Sequence, residues 1–180
     1  MVEIISNTLN RSGIRTTLLT SDQIANMYGE SLAENKAFIS GNSIIINTDK
    51  YSQDSAIHEL MHLLMAQYKL TNPSGYAEML NSVPSLSQFE ELKDRYKELA
   101  PNDYTEEVLV HAMTDHFMGR VQQYGYLNIQ PDFNIKKLAS SLLRADFNLN
   151  KSDEADFLNS LLRTLLLEGN SQLLDNLSLG

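Results

Sequence analysis

The sequence contains no cysteine, no excess of basic residues and no long apolar run. Without cysteine, disulfides and thiolate metal sites are excluded, so a metal ion would have to be bound by histidine and carboxylate side chains. With 14 basic against 23 acidic residues, the formal net charge is −9, and the strongest basic cluster is the pair Lys136–Lys137. Because nucleic-acid binding requires clustered lysine and arginine, we expect no nucleic-acid partner.

The apolar segments are short. None approaches the roughly 18 residues that are needed to span a bilayer, and the N-terminal residues lack the pattern of a signal peptide. A hydrophobic content of 42% and a charged content of 21% over 180 residues are typical of a globular chain with a real core. We therefore expect a soluble protein with no membrane partner, cytoplasmic, or virion-associated if a phage encodes it.

The first fifty residues carry strand signals. Residues 2–5, 37–40 and 43–47 are rich in β-forming residues, and Gly41-Asn42 is a typical hairpin turn between the last two. A short helix is predicted at 21–29, before this hairpin. These patterns predict a small N-terminal antiparallel sheet.

From residue 52 onward the apolar periodicity is helical. Helices are predicted at 52–70, 85–100, 103–125, 135–147 and 152–169. We expect the leucine-rich stripe of the last helix to pack on the domain or on a protein partner. The predicted fold class is therefore α+β, a small sheet followed by a helical bundle. We assign one domain to residues 1–125 and a C-terminal helical extension, packed on it, to residues 126–180.

The segment 54–67 places His58, Glu59 and His62 in the order H-E-x-x-H within an apolar helix. Two histidines four residues apart lie on the same helix face, so both imidazoles can bind one metal ion. A bound zinc ion lowers the pKa of its water to about 7, and a neighbouring carboxylate can then take the water's proton. The pattern predicts a zinc site for hydrolysis, with Glu59 as the general base.

Two histidines need a third protein ligand to hold a catalytic zinc. The extended pattern H-E-x-x-H-x-x-G-x-x-H is excluded, because Met65 and Tyr68 stand where it requires glycine and histidine. Glu106 and Glu107, near the start of a later apolar helix, are the remaining candidates, although acidic residues also favour helix starts for structural reasons. Amphipathicity favours burial of Glu106, whereas Glu107 lies on a more polar face.

These segments together resemble the gluzincin-type zinc metallopeptidases. The closest resemblance is to the compact domains of phages, prophages and mobile elements, including the ImmA-like peptidases, and it is carried by the hairpin at 36–49, the H-E-x-x-H helix and the sequence EEVLVHAM at 106–113. It implies Zn²⁺ as the cofactor, with Glu107, followed by Ala112, as the third ligand beside His58 and His62. It also implies a strand along a substrate cleft, and we expect strand 43–47 to bind an extended peptide.

One position departs from the family pattern. Gluzincins often place an aspartate four residues after the ligand glutamate, and here that residue is His111. His111, His116 and Tyr104 are the candidates for orienting a ligand or stabilising an oxyanion.

The predicted function is zinc-dependent hydrolysis of a protein or peptide substrate. One alternative is a catalytically silent zincin-fold protein with a structural or virion-associated role, which would contact its partner through the leucine-rich C-terminal helices. The other is a zinc-stabilised binding module.

Overall fold

A computed structural model of the chain describes residues 2–11, 13–41, 43–52, 54–87, 89–95, 98, 101–125, 128–129, 134–143 and 153–168. The N-terminal part contains α1 (Val2–Arg11), β1 (Arg15–Leu19), α2 (Ser21–Tyr28), β2 (Ala37–Ser40) and β3 (Ser43–Asn47). The helical part contains α3 (Ser55–Thr71), α4 (Pro73–Ser82), α5 (Phe89–Arg95), α6 (Pro101–Tyr124), α7 (Ile135–Leu142) and α8 (Asp153–Arg163), and α8 continues as a π-helical segment over Thr164–Glu168. A mixed α+β fold with a small sheet followed by helices is thus confirmed. Among the described helices, none combines the length and the apolar character that crossing a membrane requires.

The sheet is mixed, with strand order β1-β3-β2. β3 runs antiparallel to β2, as the hairpin predicted, but parallel to β1. The expectation of a purely antiparallel sheet is therefore wrong. Because β3 is paired on both sides, strand 43–47 has no free edge for an added peptide, and the expectation that it binds one is also wrong. β2 and β1 are the two edge strands.

Both faces of β3 are covered. Ile45 packs with Ile24 of α2 and Phe38 of β2 on one face, whereas Ile44 and Ile46 join the main core beneath α3 on the other. The sequence of a central strand that is buried on both faces is a continuous apolar run rather than an alternation of apolar and polar residues. This packing fixes α3 against the sheet.

The predicted strand at 2–5 is wrong, since these residues form the first turns of α1. A short apolar run does not distinguish a strand from one face of a helix, and Leu9 continues this run at helical spacing into the core. The strand that was missed is β1. The backbone N–H of Thr16 in β1 donates to the Asn10 side chain at the end of α1, over 2.7 Å.

Proline accounts for two differences at helix starts. α3 ends before Asn72-Pro73 as predicted, but Pro73 also opens α4, with the Asn72 side chain accepting from the Gly75 N–H at 3.0 Å. Pro101 similarly opens α6 instead of only ending an earlier helix. Proline suits the first helical turn, where its missing N–H has no partner to lose. The helix predicted at 85–100 is confirmed over Phe89–Arg95, which form α5, but Leu86, Ser87 and Glu98 are not helical, and residues 88, 96–97 and 99–100 lie outside the described residues.

The remaining predicted elements are close to those observed. α2 ends at Tyr28 and is followed by Gly29, which has φ of 102°. α6 and α8 cover most of the helices predicted there. α7 ends at Leu142, and the part of its predicted range beyond residue 143 lies outside the described residues, as does Asn42 of the hairpin turn.

The leucines of α8 pack inside this chain. They belong to the same hydrophobic cluster as the buried residues of α1, α3, α6 and α7, and they are Leu158, Leu161, Leu162, Leu165 and Leu166. The leucine stripe therefore packs on the protein itself. The boundary at residue 125 between a domain and a C-terminal extension stays a prediction.

Candidate metal centre

The H-E-x-x-H motif occupies the half-buried face of α3. The opposite face of this helix is fully buried in the core. It is formed by Ile57, Leu60, Met61, Leu64 and Met65. Because these apolar residues fix the rotation of the helix, His58, Glu59 and His62 must point towards α6 and the surface cleft. The apolar context of the motif thus positions its polar side chains.

The two histidines converge on one carboxylate of α6. Glu107 Oε1 lies 3.0 Å from His62 Nε2, and Glu107 Oε2 lies 3.5 Å from His58 Nε2. Tetrahedral zinc with ligands at about 2.0–2.1 Å places neighbouring ligand atoms roughly 3.3 Å apart. All three ligand atoms lie within 4.8 Å of one another, so they form a group that can hold a metal ion.

Of the two adjacent glutamates, Glu107 is the one that reaches the histidines. Successive helical residues point about 100° apart, and Glu106 instead lines a separate groove with Lys69, Tyr76 and Asp103. Burial raises the pKa of the Glu106 carboxyl, and the nearby Glu107 raises it further, although His62 acts in the opposite direction. The side-chain positions therefore favour Glu107 as the third ligand, a role that stays a prediction.

The contact shifts the pKa values of Glu107 and His62. Burial raises the pKa of Glu107, but hydrogen bonds and attraction from His58 and His62 outweigh it and lower this pKa to about 2. Burial lowers the pKa of His62, but the hydrogen bond and charge of Glu107, with smaller contributions from Glu59 and Glu106, raise it overall. Protons on the imidazoles and a metal ion would compete for the same nitrogen atoms.

Glu59 stands beside this group without being part of it. Burial raises the pKa of its carboxyl, partly offset by the two histidines, and the negative charge of Glu107 raises it further. A carboxylate with a raised pKa is a better proton acceptor near neutral pH than an ordinary one. Glu59 therefore lies beside the ligand group with a raised pKa, and its role as a general base stays a prediction.

Glu59 and His58 line a cleft of about 370 Å³. Ala37 brings the start of edge strand β2 to this cleft, and Arg95 of α5 and His111 of α6 line it as well. The cleft is thus built from the sheet edge, the motif helix and the helix that carries Glu107.

The three candidates for oxyanion stabilisation are separated by the fold. His111 lines the cleft, with its Nε2 3.3 Å from Asp115 Oδ2. His116 instead lies between α6 and α8, where its Nε2 is 2.7 Å from Asn159 Oδ1, and burial lowers its pKa. Tyr104 is partly buried against the core. Only His111 of these three lines the cleft.

Two residues of the site were missed from the sequence. Asp115 could have been found, since it follows His111 by four residues and helix neighbours at that spacing interact. Arg95 could not, because only the packing of α5 on α6 brings it to the cleft.

No protein-family model, curated protein or solved structure matches this chain.

The pairing of Glu107 with His62 predicts how the stability of metal-stripped protein depends on pH. The raised pKa of His62 contributes stability below its ordinary value of 6.5 that is lost as pH rises through the raised value. The pKa of Glu107, lowered from 4.5 to about 2, contributes stability above 4.5 that is lost at lower pH. Thermal unfolding in chelator should therefore show lower stability at pH 8 than at pH 6.

The matched variant is Glu107→Gln, which removes the negative charge. It should lose less stability than the wild type between pH 6 and pH 8. Added zinc should stabilise the wild-type protein more at pH 8 than at pH 6, because it binds neutral imidazoles. A stripped wild-type protein whose stability rises from pH 6 to pH 8 relative to Glu107→Gln would contradict the assigned pairing.

Proposed function

We propose that this protein is a zinc-dependent metallopeptidase with Glu59 as its general base. The observation that carries the proposal is the convergence of His58, His62 and Glu107 directly beside Glu59, at the wall of an open cleft.

The donor set suits zinc. Two imidazoles and one carboxylate are a common ligand set of catalytic zinc, which keeps a fourth position for water or substrate. One carboxylate leaves a net positive charge on a divalent ion. When bound, zinc would supply that charge to polarise a carbonyl and to acidify water.

Glu59 would perform the proton transfers. As the water oxygen forms its bond to the peptide carbonyl carbon, the Glu59 carboxylate takes a proton from that water. The same carboxyl then gives the proton to the amide nitrogen while the C–N bond breaks. The raised pKa of Glu59 suits both steps, since the group must accept and then release a proton.

The free edge of β2 is the proposed binding site for an extended peptide substrate. The Asn47 N–H donates to the Lys36 carbonyl, so hydrogen-bonded pairs alternate along the hairpin and the backbone groups of Ala37 and Ile39 point away from β3. These groups can pair with an added strand next to the cleft. On the opposite edge of the sheet, the outward N–H of Thr16 is already bonded to Asn10.

A catalytically silent protein with this fold is the second candidate. One observation favours it: His58 and His62 each contact one oxygen of the Glu107 carboxylate, so these three side chains have partners even without a metal ion. The experiments below separate the two functions.

Replacing the base tests the proposal directly. Glu59→Gln should lower peptide cleavage by about 10²–10⁴-fold, because the amide cannot accept the proton, while metal content and thermal stability stay close to wild type. Cleavage of a peptide library is followed by mass spectrometry, with metal content measured on the same samples. Glu106→Gln is the matched control, because Glu106 is also half-buried with a raised pKa but lines a different groove.

Wild-type protein that carries zinc and cleaves nothing in the library would favour the silent protein. A Glu59→Gln variant that cleaves as fast as wild type would refute the role of Glu59.

The edge of β2 is tested by removing one outward backbone donor. Ile39→Pro deletes an N–H that points away from β3, so the hairpin ladder keeps its bonds. We expect a rise in KM of about tenfold with little change in metal content, corresponding to roughly 1.4 kcal/mol of lost binding. Leu18→Pro is the control, since Leu18 has the same outward register as Thr16 on the opposite edge. Equal effects of the two substitutions on KM would argue against substrate binding along β2.

A further inference from the structure

The cleft beside the proposed base carries two basic residues, although the chain as a whole is acidic, with 14 basic against 23 acidic residues. Arg95 is the last residue of α5, and Lys36 directly precedes edge strand β2. Both line the cleft that Glu59 and His58 line from α3. Two separate elements of the fold therefore bring positive charge to the place where a substrate would react.

The acidic residues at the same cleft are offset to different degrees. Among the described lining residues they are Glu34, Asp54 and Glu59. Glu34 is paired with Lys50 at 2.8 Å. Asp54 accepts a hydrogen bond from the Ser52 hydroxyl at 2.6 Å and directly precedes α3, where the helix dipole favours a negative charge.

The cations of the cleft are placed differently from these acids. Of the ion pairs in the described part of the chain, none includes Lys36, and Arg95 is an exposed residue at the end of its helix. A ligand in the cleft thus meets positive charge on two walls, while two of the three acids already have partners.

The size of the cleft limits which part of a substrate can reach Arg95. A volume of about 370 Å³ is at the small end of ligand-binding pockets. A side chain that contacts Arg95 therefore belongs to a residue close to the peptide bond on which Glu59 would act. The planar guanidinium of arginine pairs with a carboxylate through two parallel hydrogen bonds, a geometry that an amide or an ammonium group cannot reproduce.

We propose that Arg95, assisted by Lys36, binds the carboxylate of an aspartate or glutamate side chain next to the scissile bond. This inference rests on the proposed peptidase function and names its substrate class, which is peptides with an acidic residue at the cleavage site. Main-chain pairing along β2 accepts many sequences, so this contact supplies the selection between them.

The test compares variants of the full chain, loaded with zinc, on alanine-rich peptides that differ at one residue, which is glutamate, glutamine or lysine. Wild type should cleave the glutamate peptide with a kcat/KM about tenfold above that of the glutamine peptide, because hydrogen bonds between charged groups are the stronger ones. Arg95→Gln should bring this ratio close to one, Lys36→Gln should lower it less, and Arg95→Glu should favour the lysine peptide. Lys93→Gln is the matched control and should keep the wild-type ratio, since Lys93 is a basic residue of the same helix that lies over the Phe89 ring.

Peptide binding gives a second readout that requires no activity. In the Glu59→Gln background, the Kd of the glutamate peptide should be about tenfold lower than that of the glutamine peptide. The difference should shrink at high salt, because screening weakens a partly exposed ion pair. It should vanish when Arg95→Gln is added, whereas loss of a merely structural contact would weaken the binding of both peptides equally.

Wild-type protein that cleaves the glutamine or lysine peptide as efficiently as the glutamate peptide would overturn the inference and leave the peptidase function intact. An equal loss of preference in Lys93→Gln would do the same. If wild type cleaves none of these peptides, the binding measurement separates the two proposals. An Arg95-dependent preference for glutamate would then support the acidic ligand on a catalytically silent protein, and equal affinities would remove both proposals.

Discussion

The contact of Glu107 with His58 and His62 is the interaction on which the proposed chemistry depends. It joins α6 to α3 at a place where three ionisable side chains are mostly buried, which would be costly for groups without partners. The apolar face of α3, packed on the sheet and on α6, keeps the three groups within reach of one another. The same packing turns Glu59 towards the cleft, so the ligand group and the proposed base lie on the same pair of packed helices and their surroundings.

The sheet places one free strand edge beside the proposed metal centre. A mixed sheet with β3 in the middle has one edge occupied at Thr16 by Asn10 and another, β2, that begins at the cleft. Main-chain pairing along β2 would accept many sequences, because it reads backbone groups rather than side chains. Selectivity would then come from side chains around the cleft, such as Arg95.

The local part of this arrangement was predictable from the sequence, and the part made by tertiary packing was not. His58, Glu59 and His62 are set by helical spacing, and the hairpin strands follow from β-forming residues around a turn. The parallel pairing of β1 with β3 joins residues far apart in sequence and leaves no local signal. Which of Glu106 and Glu107 lies beside the histidines depends on the packing of α6 against α3, because both residues open the same apolar pattern in the sequence.

The central claim is that His58, His62 and Glu107 bind one zinc ion, and metal analysis of purified protein tests it most directly. Without chelator, the wild type should carry about one zinc per chain. Glu107→Ala should weaken zinc binding far more than Glu106→Ala, and His58→Ala should abolish it. Zinc-free wild type after incubation with zinc, or unchanged zinc content in His58→Ala, would contradict the account, and a larger effect of Glu106→Ala would move the third ligand to Glu106.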